Sequence, residues 1–136
     1  MPVFEIRHTV KKEEIDNLGH VNNIVYLKWF MDIAGSHSTS IGWPHKKMIE
    51  AGEGWVVRRH ELDYLVSIMP GEKLKIRTWI SSWKRASSKR EYEVVRESDG
   101  KVLAQGRTIW VWVNYRTGRI SHIPAEIIEK FGSKKK

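Results

Sequence analysis

The alternation of apolar and polar residues changes period along the chain, and each change marks an element. Val3, Phe4, Ile6, Thr9 and Val10 read as a first strand, because β-branched and aromatic residues suit a pleated, half-buried surface. Lys11 to Asn17 is polar, and Gly19 marks a turn or a close backbone approach. Ile24, Leu27, Phe30, Met31 and Ala34 then recur at helical spacing, with Lys28 and Asp32 on the other side. Asn22 and Asn23 supply N-cap chemistry, so the spacing predicts one long amphipathic helix running to about Ile41. Pro44 opens a short second helix, His45 to Ala51, stopped by Gly52 and Gly54.

From Trp55 the period becomes two. Trp55 to Ser67 predicts a long strand whose parity changes near Arg58 to His60, the signature of a bulge. Pro70-Gly71 is a turn, and Leu74, Ile76, Thr78 and Ile80 alternate along the next strand. Lys89 to Glu97 is another strand, Asp99-Gly100 a hairpin turn, and Val102 to Val113 a further strand. Its apolar run Ile109 to Val113 predicts burial on both faces. Thr117-Gly118 turns into a short strand around Ile120, and Pro124 to Phe131 is a final short helix. The order is strand, long helix, then four or five antiparallel strands, an α+β arrangement. One helix covers only one face of such a sheet. The apolar run and the seven Trp therefore imply further cover, for which a second subunit is the simplest candidate.

Composition narrows the function classes. The 136 residues suffice for one domain, 1–131, followed by a basic tail, 132–136. With 40% hydrophobic and 29% charged residues, the chain belongs with folded domains rather than disordered ones. The absence of Cys excludes disulfides, Cys-ligated zinc, iron–sulfur clusters and a thiol nucleophile. His8, His20, His37, His45, His60 and His122 show no standard ligand spacing, so no metal is expected. No apolar run approaches the length that spans a bilayer, and MPVFEIRH lacks a secretory pattern, which makes a cytoplasmic location the expectation. The net charge of +8 is compatible with nucleic acid, an anionic membrane surface or a phosphate-bearing small molecule, and does not choose among them.

Candidate chemistry concentrates in Asp16-Asn17-Leu18-Gly19-His20-Val21-Asn22-Asn23, followed by Tyr26. A carboxylate here precedes a helix N-terminus, where unpaired N–H groups and a partial positive charge can polarise a carbonyl oxygen and hold an oxyanion. The carboxylate can activate water or attack directly. Together they suffice for acyl hydrolysis without Ser or Cys.

This stretch resembles the active-site motif of hotdog-fold acyl-CoA thioesterases of the 4-hydroxybenzoyl-CoA thioesterase-like group, Asp-x-x-Gly-His-Val-Asn-Asn-x-x-Tyr. Every fixed position is filled, by Asp16, Gly19, His20, Val21, Asn22, Asn23 and Tyr26. Glu61 to Leu65 with Pro70-Gly71-Glu72, and Ile120 to Pro124, extend the likeness over almost the whole chain. The resemblance implies a sheet wrapped around one long central helix, homodimers or dimers of dimers, and active sites at the dimer interface. It implies acyl-CoA as substrate, no cofactor, Asp16 as general base or nucleophile, and the backbone N–H near Asn23 as oxyanion donor. Plant acyl carrier protein thioesterases are similar around His20 and Asn22, and their matching His is assigned a catalytic role. Their Asn two residues earlier is Leu18 here, and the acid many relatives carry at Met31 is displaced to Asp32.

His20 is open to two roles, orienting the loop or contacting the thioester. Asn22 and Asn23 read chiefly as caps, and Tyr26 as pocket wall or packing. Gly19, Val21, Asn22 and Tyr26 complete the expected substrate-binding loop. A second substrate-binding set is basic: Lys84, Arg85, Ser87, Ser88, Lys89 and Arg90 form a surface clamp suited to the phosphates of coenzyme A, or else a solvated hairpin. Arg58, Arg59 and His60 belong to the same surface or to an interface, and Trp29, Trp43 and Trp55 line an aryl or fatty-acyl pocket or else pack an interface. Two other functions compete with hydrolysis: a non-catalytic acyl-CoA sensor, since one fold hosts many functions, and nucleic-acid binding through the basic stretch.

Overall fold

The computed structural model describes residues 2–132, so Ser133 to Lys136 of the expected basic tail lie outside the described residues. Five strands form one antiparallel sheet: β1 (Phe4–Thr9), β2 (Glu53–Tyr64), β3 (Lys73–Trp83), β4 (Ser87–Arg96) and β5 (Val102–Asn114). Their spatial order is β1-β3-β4-β5-β2, which leaves β1 and β2 as edges. Helix α1 (Asn23–Ser40) lies across the inner face, with α2 (His45–Ala51) and α3 (Ala125–Lys130) at one end. This is the hotdog arrangement that the motif implies.

The inner face is set by the period-two pattern. Leu74, Ile76 and Thr78 of β3, Tyr92 and Val94 of β4 and Ala104 of β5 are all buried beneath α1. The helix presents Tyr26, Trp29, Phe30, Ile33, Ala34 and His37 to them. Phe30 stacks on Tyr92 with ring centroids 4.5 Å apart. Gly106 makes this approach possible, because a Cβ there would lie 2.9 Å from the Phe30 ring and 2.8 Å from the Glu61 carbonyl. Each fully buried side chain of this size contributes about 1.5–3 kcal/mol.

The helix's buried stripe is rotated from the predicted one. Ile24 is 76% exposed, and Leu27 and Met31 are only half-buried. The helix is apolar on more than one face, and its aromatic residues, with most area to bury, take the sheet side.

Val111, Trp112 and Val113 are buried in succession, as the apolar run predicts, whereas Ile109 and Trp110 are half-buried. Much of the cover comes from the same chain. Trp43, Met48, Ile123, Ile127 and Phe131 build a second core around Trp112. A second subunit is therefore not needed to bury Trp112. The opposite face of the sheet is laced by half-exposed ion pairs, Arg77 with Glu5 and Glu93, and Arg107 with Glu61 and Glu91. Such pairs add little net stability but keep that face wet.

The bulge predicted in β2 is present, at Arg58 between Val57 and Arg59. A second bulge, at Ser81 in β3, was not signalled by the sequence pattern. The long strand ends at Tyr64 rather than Ser67, and the short strand around Ile120 reduces to a single bridge with Val113. The Pro70-Gly71 and Asp99-Gly100 turns stand as expected, with Gly71 and Gly100 at positive φ.

Candidate active site

The loop before α1 is a tight turn with Asp16 at its base. An isolated antiparallel bridge joins Ile15 to Val21. Within it, Asp16 N–H donates to the His20 carbonyl (3.0 Å) and Gly19 N–H to the Asp16 carbonyl (3.1 Å). Gly19 sits at φ +86°, a conformation that L side chains rarely adopt. The Asp16 carboxylate accepts the Leu18 N–H through Oδ1 at 2.8 Å and is only half-buried, as is His20. One carboxylate oxygen thus anchors the turn, and Oδ2 makes no hydrogen bond among the described residues.

The helix start is held from three directions. Asn22 is the N-cap, its side chain accepting the Ile24 N–H at 3.0 Å. Its own N–H donates to the Glu14 carbonyl (2.9 Å), and the Val21 N–H to the Ile68 carbonyl (2.9 Å). Tyr64, at the end of β2, donates its hydroxyl to the Asn23 carbonyl at 3.3 Å and meets Tyr26 edge-on. The Asn23 N–H finds no acceptor among the described residues. It is one exposed backbone donor at the positive end of an 18-residue helix.

Glu14 anchors this assembly, and sequence reasoning missed it. Its carboxylate accepts from Lys11 N–H (2.8 Å), His8 Nε2 (2.9 Å) and Trp29 Nε1 (2.9 Å). Burial pushes its carboxyl up, but the hydrogen bonds from Lys11, His8 and Trp29 outweigh that and hold it below the ordinary range. The signal lies at separations of 6 and 15 residues, beyond any local pattern. Tyr26 is packing: it is buried, and burial, with the neighbouring Tyr64, raises its phenol above the usual value. Val21 also places its side chain in the core, so its contribution to the loop is through the backbone.

Of the basic stretch, Lys84, Ser87 and Lys89 come together. With Arg58 and Arg59 they line a groove of about 600 Å³ that contains no acid. Ser88, expected on the surface with them, touches the same groove but is itself buried, 4% exposed, in phase with Arg90 on β4. Arg85 is exposed but does not line the groove, and its carbonyl accepts the Ile123 N–H. His60 turns inward to Thr108 (2.9 Å), and burial lowers its pKa.

Arg90 corrects the sequence reading outright. It is no surface clamp but a core residue, 4% exposed, on the inner face of β4. Its Nη1 donates to Thr78 Oγ1 (3.1 Å) and lies 2.9 Å from His37 Nδ1. Burial pushes the guanidinium down to about 10. Burial, then the Arg90 charge, pushes His37 down to about 4, so His37 is neutral near pH 7.

Beside α1 lies a cavity of about 160 Å³, walled by Met31, Ala34, Met48, Trp55 and Trp110, with Arg90 also reaching it. Of the three Trp proposed as pocket walls, only Trp55 lines it. Trp29 is tied to Glu14 and Trp43 to Glu126. Asp32, displaced from the position of the family acid, is an exposed partner of Lys28 at 2.8 Å. Among the described residues, no group of His, Asp and Glu could hold a metal ion.

The fold is shared with known proteins. The chain is 31% identical over 75 residues to a chloroplastic palmitoyl-acyl carrier protein thioesterase of Gossypium hirsutum, covering 54% of this chain and 18% of that one. It therefore spans about a fifth of that relative's length. A 1,4-dihydroxy-2-naphthoyl-CoA thioesterase from Synechocystis superposes with a TM-score of 0.89 at 16% identity, covering 96% of each chain. A Staphylococcus aureus protein solved in complex with CoA gives 0.90 at 18% identity, over 97% of this chain and 83% of that one. Residues 10–131, nearly the whole described chain, match one family in sequence, and the protein is accordingly a member of the thioesterase-like superfamily.

Proposed function

We propose that this protein hydrolyses acyl thioesters of coenzyme A. The observation that carries the reading is the unpaired Asn23 N–H at the start of α1, next in sequence to the turn that presents the Asp16 carboxylate. In this scheme the thioester carbonyl oxygen accepts the Asn23 N–H. Asp16 takes a proton from water as the water oxygen attacks the carbonyl carbon. The charge gathers on the oxygen at the helix N-terminus, where the oriented peptide dipoles favour it. Collapse breaks the C–S bond, and the departing thiolate takes up the proton, giving a carboxylic acid and free coenzyme A. Alternatively Asp16 attacks the carbonyl itself, and water then hydrolyses the mixed anhydride. His20, half-buried in the same turn, orients the loop or touches the thioester. No cofactor enters either route.

Coenzyme A as the carrier is supported by the basic groove, whose Arg58, Arg59, Lys84 and Lys89 suit phosphates. A homodimer, or a dimer of such dimers, is supported by exposed apolar surface beside the site. Leu18 is 77% and Ile24 76% exposed, and β2 offers a 12-residue free edge carrying Val56 and Val57. No described helix is long and apolar enough to cross a membrane.

The test is free-thiol release from a panel of short, medium and long fatty acyl-CoAs and aryl-CoAs, with Asp16→Asn alongside. We expect turnover that falls at least about a hundredfold in the folded variant. Full activity in that variant would remove Asp16 from the chemistry. Tight binding of acyl-CoA with no turnover by the wild type would make the protein a sensor. A salt-sensitive gel shift without thioester binding would turn the basic groove toward nucleic acid.

A further inference from the structure

On the inner surface of the sheet the Arg90 guanidinium has more N–H donors than acceptors in reach among the described residues, and it faces the cavity beside α1. Arg90 carries five N–H donors on a permanent charge. Two contacts are made, both by Nη1, to Thr78 Oγ1 and to neutral His37. The Phe131 ring lies 5.4 Å from the guanidinium carbon. No carboxylate pairs with Arg90 among the described residues. A cation buried this deeply is ordinarily paired, because desolvation without a counter-charge costs several kcal/mol. On the same surface burial raises the Tyr92 phenol, and Thr108 and the Trp110 indole N–H, among which its hydroxyl lies, partly offset this. Arg90 and Trp110 both line the cavity. What the site lacks is an acceptor carrying negative charge.

Met31, Ala34, Met48 and Trp55 give the cavity its apolar wall, which Ser38, His45 and Ser88 interrupt without adding a carboxylate. Met31 lies eight residues along α1 from Asn23, about 12 Å at 1.5 Å per residue. A thioester whose carbonyl sits at the Asn23 N–H, with its acyl chain along the helix, would bring its far end here. We propose that this cavity is an acyl-end subsite, and that the preferred substrates are thioesters whose acyl group ends in a carboxylate pairing with Arg90. This deepens the thioesterase reading and rests on it for the placement of the thioester. The basic groove receives phosphates on the other face of the sheet, so the two anionic ends of one substrate are recognised separately.

Two measurements on the full chain test the subsite. In the first, calorimetry compares half-amides of the diacids sebacate and dodecanedioate with decanamide and dodecanamide, so that a terminal carboxylate is the only difference. We expect the half-amides to bind at least about tenfold more tightly, the low end of what a close charge pair contributes. Arg90→Met should abolish that contrast, and Arg90→Lys should keep part of it. In the second, kcat/KM is measured for dodecanedioyl-CoA and dodecanoyl-CoA, whose chains are long enough to run from the Asn23 N–H to the cavity. The diacyl-to-monoacyl ratio should exceed one and fall at least about tenfold in Arg90→Met. The charge-retaining Lys variant gives the answer if the Met variant fails to fold. Equal binding with and without the terminal carboxylate by the wild type overturns the proposal. So does a ratio unchanged in either folded variant. A carboxylate contrast that depends on Arg90 without any thiol release leaves the subsite standing and removes the hydrolase. Thiol release without the contrast does the reverse.

Discussion

Glu14 touches no reacting atom, yet its charge holds the turn that carries Asp16, and Glu14→Gln isolates that contribution. The carboxylate accepts three N–H groups, from Lys11, His8 and Trp29. Glutamine keeps the shape but offers one carbonyl oxygen, and its NH2 faces donors. At least one buried donor then loses its acceptor, and Trp29, 4% exposed, is the one that water reaches least. Hydrogen bonds to a charged group contribute about 1.5–3 kcal/mol each, and an orphaned donor costs a similar amount, so we expect a loss of about 2–3 kcal/mol. Unfolding entropy near about 2.1 cal/mol/K per residue makes this a melting-temperature drop of about 7–10 °C for a chain this long. The pH dependence carries the sign. The folded carboxyl lies below its ordinary value, so the stabilisation is complete above that value and lost as pH falls through the lowered one. The gap between wild type and variant should therefore close in that acid window. Thermal melts of both proteins, followed by circular dichroism from neutral to acid pH, measure it. Coincident melts at neutral pH, or a gap that does not narrow on acidification, would refute the reasoning.

The remaining expectations concern the turn, the core and the groove. Gly19→Ala should cost about 1–2 kcal/mol from positive φ alone, since nothing lies within 4 Å of the added Cβ, and should lower kcat as the Asp16 turn loosens; denaturant titration and thiol release read the two effects. Gly106→Ala should destabilise by about 1–3 kcal/mol, because its Cβ meets the Glu61 carbonyl and the Phe30 ring, seen as a lower urea midpoint with unchanged slope. Replacing Arg59 and Lys84 together by Ala should raise KM for acyl-CoA and make binding less salt-dependent, while thioesters of N-acetylcysteamine, which lack phosphates, are affected far less; equal effects on both carriers would remove the groove from substrate binding.

The Asp16 turn and the start of α1 were legible because their logic is local. A cap, a positive-φ glycine and a carboxylate within eight residues are read from spacing alone. The sheet was legible through its parity, including the bulge at Arg58. Arg90 was misread for an instructive reason. Its charge suggests solvent, but it alternates in phase with Tyr92 and Val94, whose side chains face the helix. Parity outranked charge at that position. Glu14 and Tyr64 were out of reach because their partners come from other elements. The groove was partly legible: Lys84, Ser87 and Lys89 were recognised as a set, and Arg58 and Arg59 as sharing their surface or an interface, a choice that only strand pairing makes.

The bulge in β2 has a consequence for how the strand tolerates change in length. Residues in register with inner-facing neighbours are even-numbered below it, Leu62 opposite Gly106 and His60 opposite Thr108. Above it they are odd-numbered, with Trp55 opposite Trp112 and packed against it at 5.0 Å. The extra residue thus works as a half-period phase shifter between two segments anchored to different cores. It also lets two consecutive arginines, Arg58 and Arg59, line one groove, which a regular strand would point apart. Deleting either arginine would restore simple alternation with both segments still in phase, Trp55 remaining opposite Trp112 and His60 opposite Thr108, at the loss of one cation from the groove. A substitution at Arg58 changes one side chain, and a deletion there removes one while leaving both cores in register.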